Sequence, residues 1–183
     1  MKLSVVRPAL GHDVASVRAI LQLPGNPLSV APALLSGSDQ GLLQLIETTL
    51  RDFPFLMAFD GGRCLGFAYA RPHRGGAYRW SADVALHVDP KAPAGTAERL
   101  YRQALHDLAS QGYLAAYALV SPAAEHGLAL HEALGFVRLG PHAWLDLQQD
   151  VDRWCLSLND RHPVREPISF QTLINARRST VTG

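Results

Sequence analysis

The middle of the sequence, residues 55–90, constrains the fold more than any other segment because apolar runs alternate there with strong turn signals. Apolar runs bounded by Gly, Pro and Asp are typical of β-strands, and Asp-Gly between two such runs is typical of a hairpin. In order, the segment predicts a strand over Phe55–Phe59, a hairpin turn at 60–62, a strand over Cys64–Ala70, a loop over 71–77 and a strand over Tyr78–Val88. We therefore expect a β-meander at the centre of the fold.

Apolar residues at helical spacing flank this meander on both sides. Before it, the pattern predicts a short strand over Leu3–Val6, a helix that opens at His12-Asp13, a loop over Leu23–Asp39, and a second helix with Leu42, Leu43, Ile46 and Leu50 on one face. After it, the pattern predicts a helix from about Gly95 to Ser110, a strand over Tyr113–Val120, a further helix, and a last strand over Val151–Leu158. That further helix has Ser121 as its cap, Pro122 in its first turn and Gly135 at its stop. This order predicts an α/β fold in which helices cover a mixed, partly antiparallel sheet.

Composition and charge exclude several classes of function. The chain has 183 residues, of which 48% are hydrophobic and 18% charged, which is enough for one domain with a real core. With 17 basic against 16 acidic residues the net charge is +1, so no basic field drives nucleic-acid binding. The longest apolar stretches fall far short of the ~20 residues that span a membrane. We expect neither nucleic acid nor a membrane as a partner.

The two cysteines, Cys64 and Cys155, lie far apart in the sequence. Neither belongs to a C-x-x-C pair or stands beside clustered histidines, so we expect neither a disulfide framework nor a metal site. The first residues, MKLSVVRPALGHD, contain no apolar segment followed by a small-residue cleavage site. These features indicate a reducing compartment, and we expect a cytoplasmic protein.

Two motifs resemble one known family. The stretch Tyr69–Pro90, YARPHRGGAYRWSADVALHVDP, resembles the middle strands of phosphinothricin acetyltransferase-like proteins, a branch of the GNAT superfamily of acyl-CoA-dependent N-acetyltransferases. Leu130–Phe136, LHEALGF, resembles the penultimate helix and turn of the same family. The opening Val6-Arg-Pro and the pair Asp150-Val151 match in place and order.

The resemblance covers about residues 3–158. We therefore expect an acetyltransferase-like domain over residues 1–158 and a polar C-terminal tail over residues 159–183. The tail is expected to dock weakly, with a short helix near Phe170–Asn175 at most.

The resemblance implies a strongly bent mixed sheet, flanked by about four helices, that splays open between two central parallel strands and binds acetyl-CoA there as cosubstrate. Leu86 and Val88 would offer backbone groups to the pantetheine arm. The loop that would present N–H groups to the pyrophosphate comprises Ala94, Gly95, Thr96, Ala97, Glu98 and Arg99. Unpaired N–H groups and the helix dipole favour an anion at a helix N-terminus in any fold.

Two segments depart from the family pattern. The loop is one residue short and carries Pro93, which lacks a backbone donor, while Glu98 adds a negative charge that neighbouring basic side chains can offset. In the fourth helix, Ala124 and Gly127 replace the usual Asn and Ser. These departures leave open a fold relative that has lost or changed its acyl-CoA chemistry.

N-acetylation needs a group that takes a proton from the alkylammonium ion. By resemblance, Asp83 replaces the family's Glu and is one methylene shorter, which favours a relay water; the alternative is a solvent-facing strand residue. His131 stands where a side chain would protonate the leaving thiolate; the alternative is a half-buried helix histidine bonded to a carbonyl. Among the other histidines, only His73 lies in a loop expected to face the amine.

The expected amine side carries Arg74, Tyr78 and Arg79. A hydroxyl and a guanidinium suit an amine that bears a carboxylate or phosphinate, although an exposed strand residue is the alternative for Arg79. The loops over Leu23–Pro32 and Gly140–Gln149 lack the family's usual pocket segments, which argues against phosphinothricin itself.

The sequence therefore predicts transfer of an acetyl group from acetyl-CoA to the primary amine of a small amino-acid-like metabolite, without a covalent enzyme intermediate. Two alternatives stay open: an accessory or binding module that kept the fold, and a biosynthetic enzyme that uses another acyl donor. The sequence does not set the oligomeric state, and a homodimer is one state it allows.

Overall fold

A computed structural model of the chain describes residues 5–23, 38–73, 78–142, 151–160 and 165–181. The strands are β1 Val5–Pro8, β2 Phe55–Asp60, β3 Arg63–Pro72, β4 Ser81–Val88, β5 Ala115–Val120, β6 Val137–His142 and β7 Val151–Ser157. The α-helices are α1 Val14–Leu21, α2 Asp39–Asp52, α3 Thr96–Gln111, α4 Glu125–Ala133 and α5 Phe170–Val181, and a 3-10 turn at Gly11–Asp13 precedes α1. No helix in the described ranges is long and apolar enough to cross a membrane.

The strands form one mixed sheet in the order β1-β2-β3-β4-β5-β7-β6. Every neighbouring pair is antiparallel except β4 and β5, which are parallel. The pairing of β4 with β5 extends only from Ser81↔Ala115 to Asp83↔Tyr117, although the two strands continue to Val88 and Val120. The sheet therefore opens between its central parallel strands, which confirms the predicted fold class.

Alternation of side chains along the strands builds two hydrophobic cores, one on each face of the sheet. On β2, Leu56 and Ala58 join the core under α3 and α5, whereas Phe55 and Met57 join the core under α1 and α2. The apolar face of α3 is buried as predicted, and the helix ends at Gly112, whose φ of +101° only glycine adopts without strain. The fold places β4 between these two cores, whereas β5 contributes buried residues only to the core under α3 and α5.

Two elements begin later in the structure than the sequence predicted. The fourth strand begins at Ser81 rather than Tyr78, and α4 begins at Glu125 rather than at Ser121. The hydroxyl of Ser121 accepts the N–H of Ala123 at 3.3 Å and its carbonyl accepts the N–H of Ala124, so Ser121 closes a turn before the helix instead of capping it. The predicted stop at Gly135 is confirmed by its φ of +86°.

Strand β6 was not predicted from the sequence because Gly140 and Pro141 are typical of turns. The strand lies at the edge of the sheet, where a missing N–H is tolerated. The register shifts between Arg138 and Gly140, and Gly140 has a φ of +108°, so a bulge accommodates the two turn-forming residues.

The C-terminal segment is bound more firmly than the sequence predicted. Phe170 and Leu173 on α5 are 1% and 8% exposed and belong to the core under α3. The Gln111 side chain donates to the carbonyl of Ile168 at 2.8 Å, and Arg177 pairs with the buried carboxylate of Asp107 at 2.8 Å. The prediction of a weakly docked tail with a short helix is wrong, since α5 spans twelve residues and fills part of the core.

Candidate active site

The gap between β4 and β5 is bordered by backbone groups of β4. His73 N–H donates to the Ser81 carbonyl at 3.3 Å and Asp89 N–H donates to the Leu65 carbonyl at 2.8 Å, so the odd-numbered positions of β4 direct their backbone groups toward β3. The even-numbered positions, which include Leu86 and Val88, direct theirs toward β5. Both residues therefore lie on the strand edge where the sequence predicted the pantetheine arm.

A cavity of about 540 Å³ opens at the wide end of this gap. One wall is formed by the end of β4 and the following loop, between positions 88 and 97, and the other by the start of α4, between positions 123 and 127. Alanine, glycine and proline dominate both walls, so space is left next to the backbone. Of the six residues in the predicted cofactor loop, Ala94, Gly95 and Ala97 line the cavity, whereas Thr96, Glu98 and Arg99 do not.

The conformation of this loop is fixed by a hydrogen-bonded turn at the start of α3. Thr96 is buried, and its hydroxyl and N–H both donate to the Pro93 carbonyl, at 2.7 and 3.1 Å. Gly95 takes the N-cap position with a φ of +82° and accepts the N–H of Arg99. The N–H groups of Ala97 and Glu98, in the first helical turn, have no acceptor within the helix and are placed to bind an anion.

The departures seen in the sequence have local compensations. The Glu98 carboxylate pairs with Arg102 one turn later at 2.9 Å, which offsets its negative charge. Asp89 accepts the N–H of Lys91 and pairs with Arg63, and these two interactions hold the pKa of Asp89 below its usual range. Both carboxylates beside the loop are therefore paired with cations.

Asp83 lies at the narrow end of the gap, at the last residue pair that joins β4 to β5. One oxygen of its carboxylate accepts a hydrogen bond from His73 Nδ1 at 2.5 Å, and the other lies 3.4 Å from Arg71 Nε. The Asp83 side chain is 27% exposed and that of His73 is 9% exposed. Asp83 is thus a partly accessible carboxylate bound to an imidazole, not a freely solvated strand residue.

Two tyrosines fix the ring of His73. Tyr117 on β5 stacks against it with centroids 4.1 Å apart and planes 11° apart. Tyr78 meets it edge-on at 5.9 Å and is 49% exposed, which places this predicted substrate residue beside Asp83. Arg74, the second predicted substrate residue, lies outside the described residues.

Arg79, the third predicted substrate residue, is engaged by the C-terminal segment. Its guanidinium lies 3.6 Å from the Trp80 ring centroid and pairs with Glu166 at 2.8 Å. The Trp80 indole N–H donates to the Arg165 carbonyl at 3.1 Å. These contacts give Arg79 a part in docking the tail, so the structure does not support its assignment to the substrate.

His131 is fully buried in the core and not half-buried. Its Nδ1 lies 2.7 Å from the Gly127 carbonyl, which can only accept, so Nδ1 carries the proton. Its Nε2, 3.1 Å from the Tyr101 hydroxyl, then accepts the hydroxyl proton, and burial lowers the pKa of the imidazole. The ring has no exposed surface from which to protonate a thiolate, and the packing favours the structural alternative.

One face of β5 and β7 packs against the core under α3, and the opposite face is here called the open face. The open face carries residues that were not identified from the sequence. Tyr117 and Cys155 are cross-strand partners, as are Leu119 and Arg153, whereas the alternate Ala118 and Trp154 point into the core. Burial raises the pKa of both the Tyr117 phenol and the Cys155 thiol. Arg153 has no acidic partner among the described residues, and its Nε is buried without an acceptor. A cation of this kind on the amine side can bind an anionic group.

The described residues contain no group of three or more His, Cys, Asp or Glu side chains that could hold a metal ion.

No protein-family model matches the sequence, and no curated protein matches it. Solved structures do match, over most of the chain. A GNAT-superfamily phosphinothricin acetyltransferase from Sinorhizobium meliloti in complex with acetyl-CoA has a TM-score of 0.71 at 21% identity, covering 91% of this chain and 94% of that one.

Two further structures have the same architecture. A putative acetyltransferase from Salmonella typhimurium with acetyl-CoA has a TM-score of 0.72 at 18% identity, covering 87% of this chain and 96% of that one. A ribosomal-protein-alanine N-acetyltransferase from Brucella melitensis has a TM-score of 0.70 at 19% identity, covering 84% of this chain and 99% of that one. The chain therefore has the fold of the GNAT N-acetyltransferases. The named acceptors of these proteins differ, so the fold alone does not select the amine.

Proposed function

We propose that the protein transfers an acetyl group from acetyl-CoA to the primary amine of a small, amino-acid-like metabolite. The observation that carries this proposal is the gap between β4 and β5, which runs from the cavity at the start of α3 to the carboxylate of Asp83. Structures with the same fold hold acetyl-CoA, which supports acetyl-CoA as the cosubstrate.

The residues of the cavity fit acetyl-CoA. Loop residues Ala94, Gly95 and Ala97 leave room for a pyrophosphate beside the first turn of α3, where the N–H group of Glu98 also lies. The β4 edge with Leu86 and Val88 would accompany the pantetheine arm toward Asp83. Bound acetyl-CoA would supply the activated acyl group; the chain itself supplies position and a proton acceptor.

Asp83 is the carboxylate that we assign to deprotonation of the ammonium group, either directly or through a relay group between Asp83 and the amine. It lies at the narrow end of the gap, is partly accessible, and is held by His73 and Arg71. A neutral amine at this point can attack the acyl carbon directly, so no covalent enzyme intermediate is needed.

Arg153 supports an anionic amine as the acceptor. Its guanidinium is on the same face of the sheet as Tyr117, which contacts His73, and it has no carboxylate partner among the described residues. A carboxylate of the substrate would supply that partner, while Tyr78 lies at the rim as a hydrogen-bonding group. An α-amino acid combines the required amine and carboxylate.

Acetyl-CoA binding tests the proposal. Ligand at a hundredfold excess over its Kd should stabilise the protein by ~2.7 kcal/mol, measured as a thermal shift or by calorimetry. Gly95→Pro should abolish this stabilisation, because proline cannot adopt the positive φ of Gly95 and removes an N–H group at the cavity.

Gly140→Pro is the matched control, since Gly140 also has a positive φ and lies in β6, outside the cavity. It should lower stability without changing the acetyl-CoA shift. If the parent protein shows no shift at millimolar acetyl-CoA, the acetyltransferase proposal is wrong and the accessory-module alternative takes its place.

The proposed setting is the cytoplasm, and the proposed assembly is a homodimer. Fractionation of cells tests the first, and sedimentation velocity of the purified protein tests the second.

A further inference from the structure

Resting on the proposed function, we propose that His73 is the catalytic proton acceptor and that Asp83 is the positioning residue that orients it. The imidazole lies at the end of the β3–β4 hairpin, beside the last paired residues of β4 and β5. His73 accepts the proton of the substrate ammonium group through Nε2. The imidazole of His73 therefore takes the place of the relay water that the sequence predicted between Asp83 and the amine.

The hydrogen bond between the two groups fixes the tautomer. A carboxylate can only accept, so the 2.5 Å contact between His73 Nδ1 and Asp83 Oδ1 requires the hydrogen on Nδ1. A neutral imidazole has one N–H, and its Nε2 therefore presents a lone pair. The second carboxylate oxygen faces Arg71, so Asp83 is engaged on both sides by protein groups.

The surroundings of the ring leave that lone pair available. His73 Nε2 has no hydrogen-bond partner among the described residues, and 9% of the His73 side chain remains exposed. Stacking on Tyr117 and the edge contact with Tyr78 hold the ring in one plane. Among the described residues, the titratable and charged groups around the ring are Asp83 on β4, Arg71 on β3, Tyr78 in the turn before β4, and Tyr117 on β5.

The proton balance of the reaction follows. The ammonium nitrogen gives one proton to His73 Nε2 and becomes a neutral amine. The nitrogen then bonds to the acyl carbon, the bond between that carbon and sulfur breaks, and the second nitrogen proton leaves with the sulfur as a thiol. The imidazolium, stabilised by Asp83, releases its proton to solvent.

Chemical rescue is the first test. Wild-type protein, His73→Ala and Asp83→Asn are assayed with acetyl-CoA and a panel of the L-α-amino acids, by thiol release and mass spectrometry. His73→Ala should lose about 10²-fold or more in kcat at neutral pH with unchanged acetyl-CoA affinity, and added imidazole should restore part of it. Asp83→Asn should be impaired but not rescued, and the double variant should be no worse than His73→Ala.

The loss in His73→Ala should also shrink as pH rises, because solvent then supplies neutral amine. If His73→Ala keeps the wild-type rate while Asp83→Asn loses it, Asp83 takes the proton without His73 and the proposal is wrong. If the wild type binds acetyl-CoA but acetylates none of the amino acids, the proposed substrate class fails.

Nitrogen-15 spectra of the histidine rings decide the assignment without a substrate. His73→Asn identifies the resonance, since its amide keeps the donor toward Asp83 and removes the ring. In the uncharged wild-type ring, Nδ1 should carry the proton, and Asp83→Asn should shift the tautomer balance. A proton on Nε2 of the wild-type ring would overturn the proposal, whatever the outcome of the activity assay.

Discussion

Mild acid should destabilise this fold through His87, a buried histidine of β4 that has no role in the proposed chemistry. The side chain is 2% exposed, its ring stacks on Phe67 with centroids 4.8 Å apart, and neither ring nitrogen has a hydrogen-bond partner in the part of the chain that the structure describes. Burial lowers the pKa of His87 from 6.5 to about 4. The cause is desolvation, because a charged imidazole in this position would have neither water nor a carboxylate.

The sign follows from the two protonation states. As pH falls below 6.5 the unfolded chain binds a proton on His87, whereas the folded chain does not until pH is near 4. Stability is therefore lost progressively between those pH values, by about 1.4 kcal/mol for each unit, or ~3 kcal/mol in all. His87→Leu removes the group and should remove this part of the pH dependence.

Urea unfolding at a series of pH values between 7 and 4 measures the effect. Wild type and His87→Leu should diverge as pH falls, with the variant retaining ~3 kcal/mol more at the acid end and being at least as stable at pH 7. His106→Gln, on the exposed face of α3, is the control and should run parallel to wild type. Parallel curves for wild type and His87→Leu would refute the reasoning.

Three other changes test the packing and the amine side. His131→Ala should lower the free energy of unfolding by about 3 kcal/mol, because it removes core contacts and the partner of the Tyr101 hydroxyl. Denaturant unfolding measures this loss, and an unchanged acetyl-CoA affinity beside it would establish the structural role. Normal stability with lost turnover would instead support the catalytic role. Phe170→Ala should cost ~3–5 kcal/mol in the same assay, against less than about 0.5 for the exposed Gln171→Ala, and equal values would mean that α5 is not part of the core. Arg153→Met should raise the KM for an amino acid by about tenfold or more while leaving the KM for the corresponding decarboxylated amine unchanged, and an equal change in both would show that Arg153 does not bind the carboxylate.

The elements that the sequence predicted correctly are those in which local propensity and tertiary contacts agree. The buried face of α3 follows from the spacing of its apolar residues, and the positive φ values at Gly112 and Gly135 follow from the rarity of that conformation in other residues. The hairpin between β2 and β3 follows from Asp60-Gly61-Gly62 for the same reason. At each of these turns, glycine is the residue type that fits the backbone conformation that the fold requires.

The elements that were wrong are those in which tertiary contacts override the local pattern. Gly140 and Pro141 are typical of a turn, yet β7 offers a partner that tolerates both at the sheet edge. The tail is polar overall, but Phe170 and Leu173 at helical spacing find the core under α3. Polarity averaged over the segment concealed the two positions that decide its structure.

The candidate site could be predicted only in part, because its geometry arises from register and not from motifs. Asp83 was identified because it stands where the resembling family has a Glu and because aspartate is uncommon in strands, but nothing in the sequence shows that His73 would bind it or that Tyr117 would stack on the imidazole. Arg153 lies on β7, far from Asp83 in the sequence. It lies on the same face of the sheet as Tyr117 only because β7 pairs with β5.

The position of the site has a physical cause in the change of strand direction. β3 pairs with an antiparallel neighbour on each side, whereas β4 has one antiparallel neighbour and one parallel neighbour, β5, to which it is joined only as far as Asp83 and Tyr117. A gap that backbone pairing does not close has to be bordered by other contacts. At its narrow end the hydrogen bond from His73 to Asp83 and the stack on Tyr117 join the β3–β4 hairpin to β5, and at its wide end the first turn of α3 faces the cavity. The residues proposed for proton transfer therefore also fix the strands where they separate. A variant that removes the imidazole while keeping the hydrogen bond, such as His73→Asn, separates these two roles.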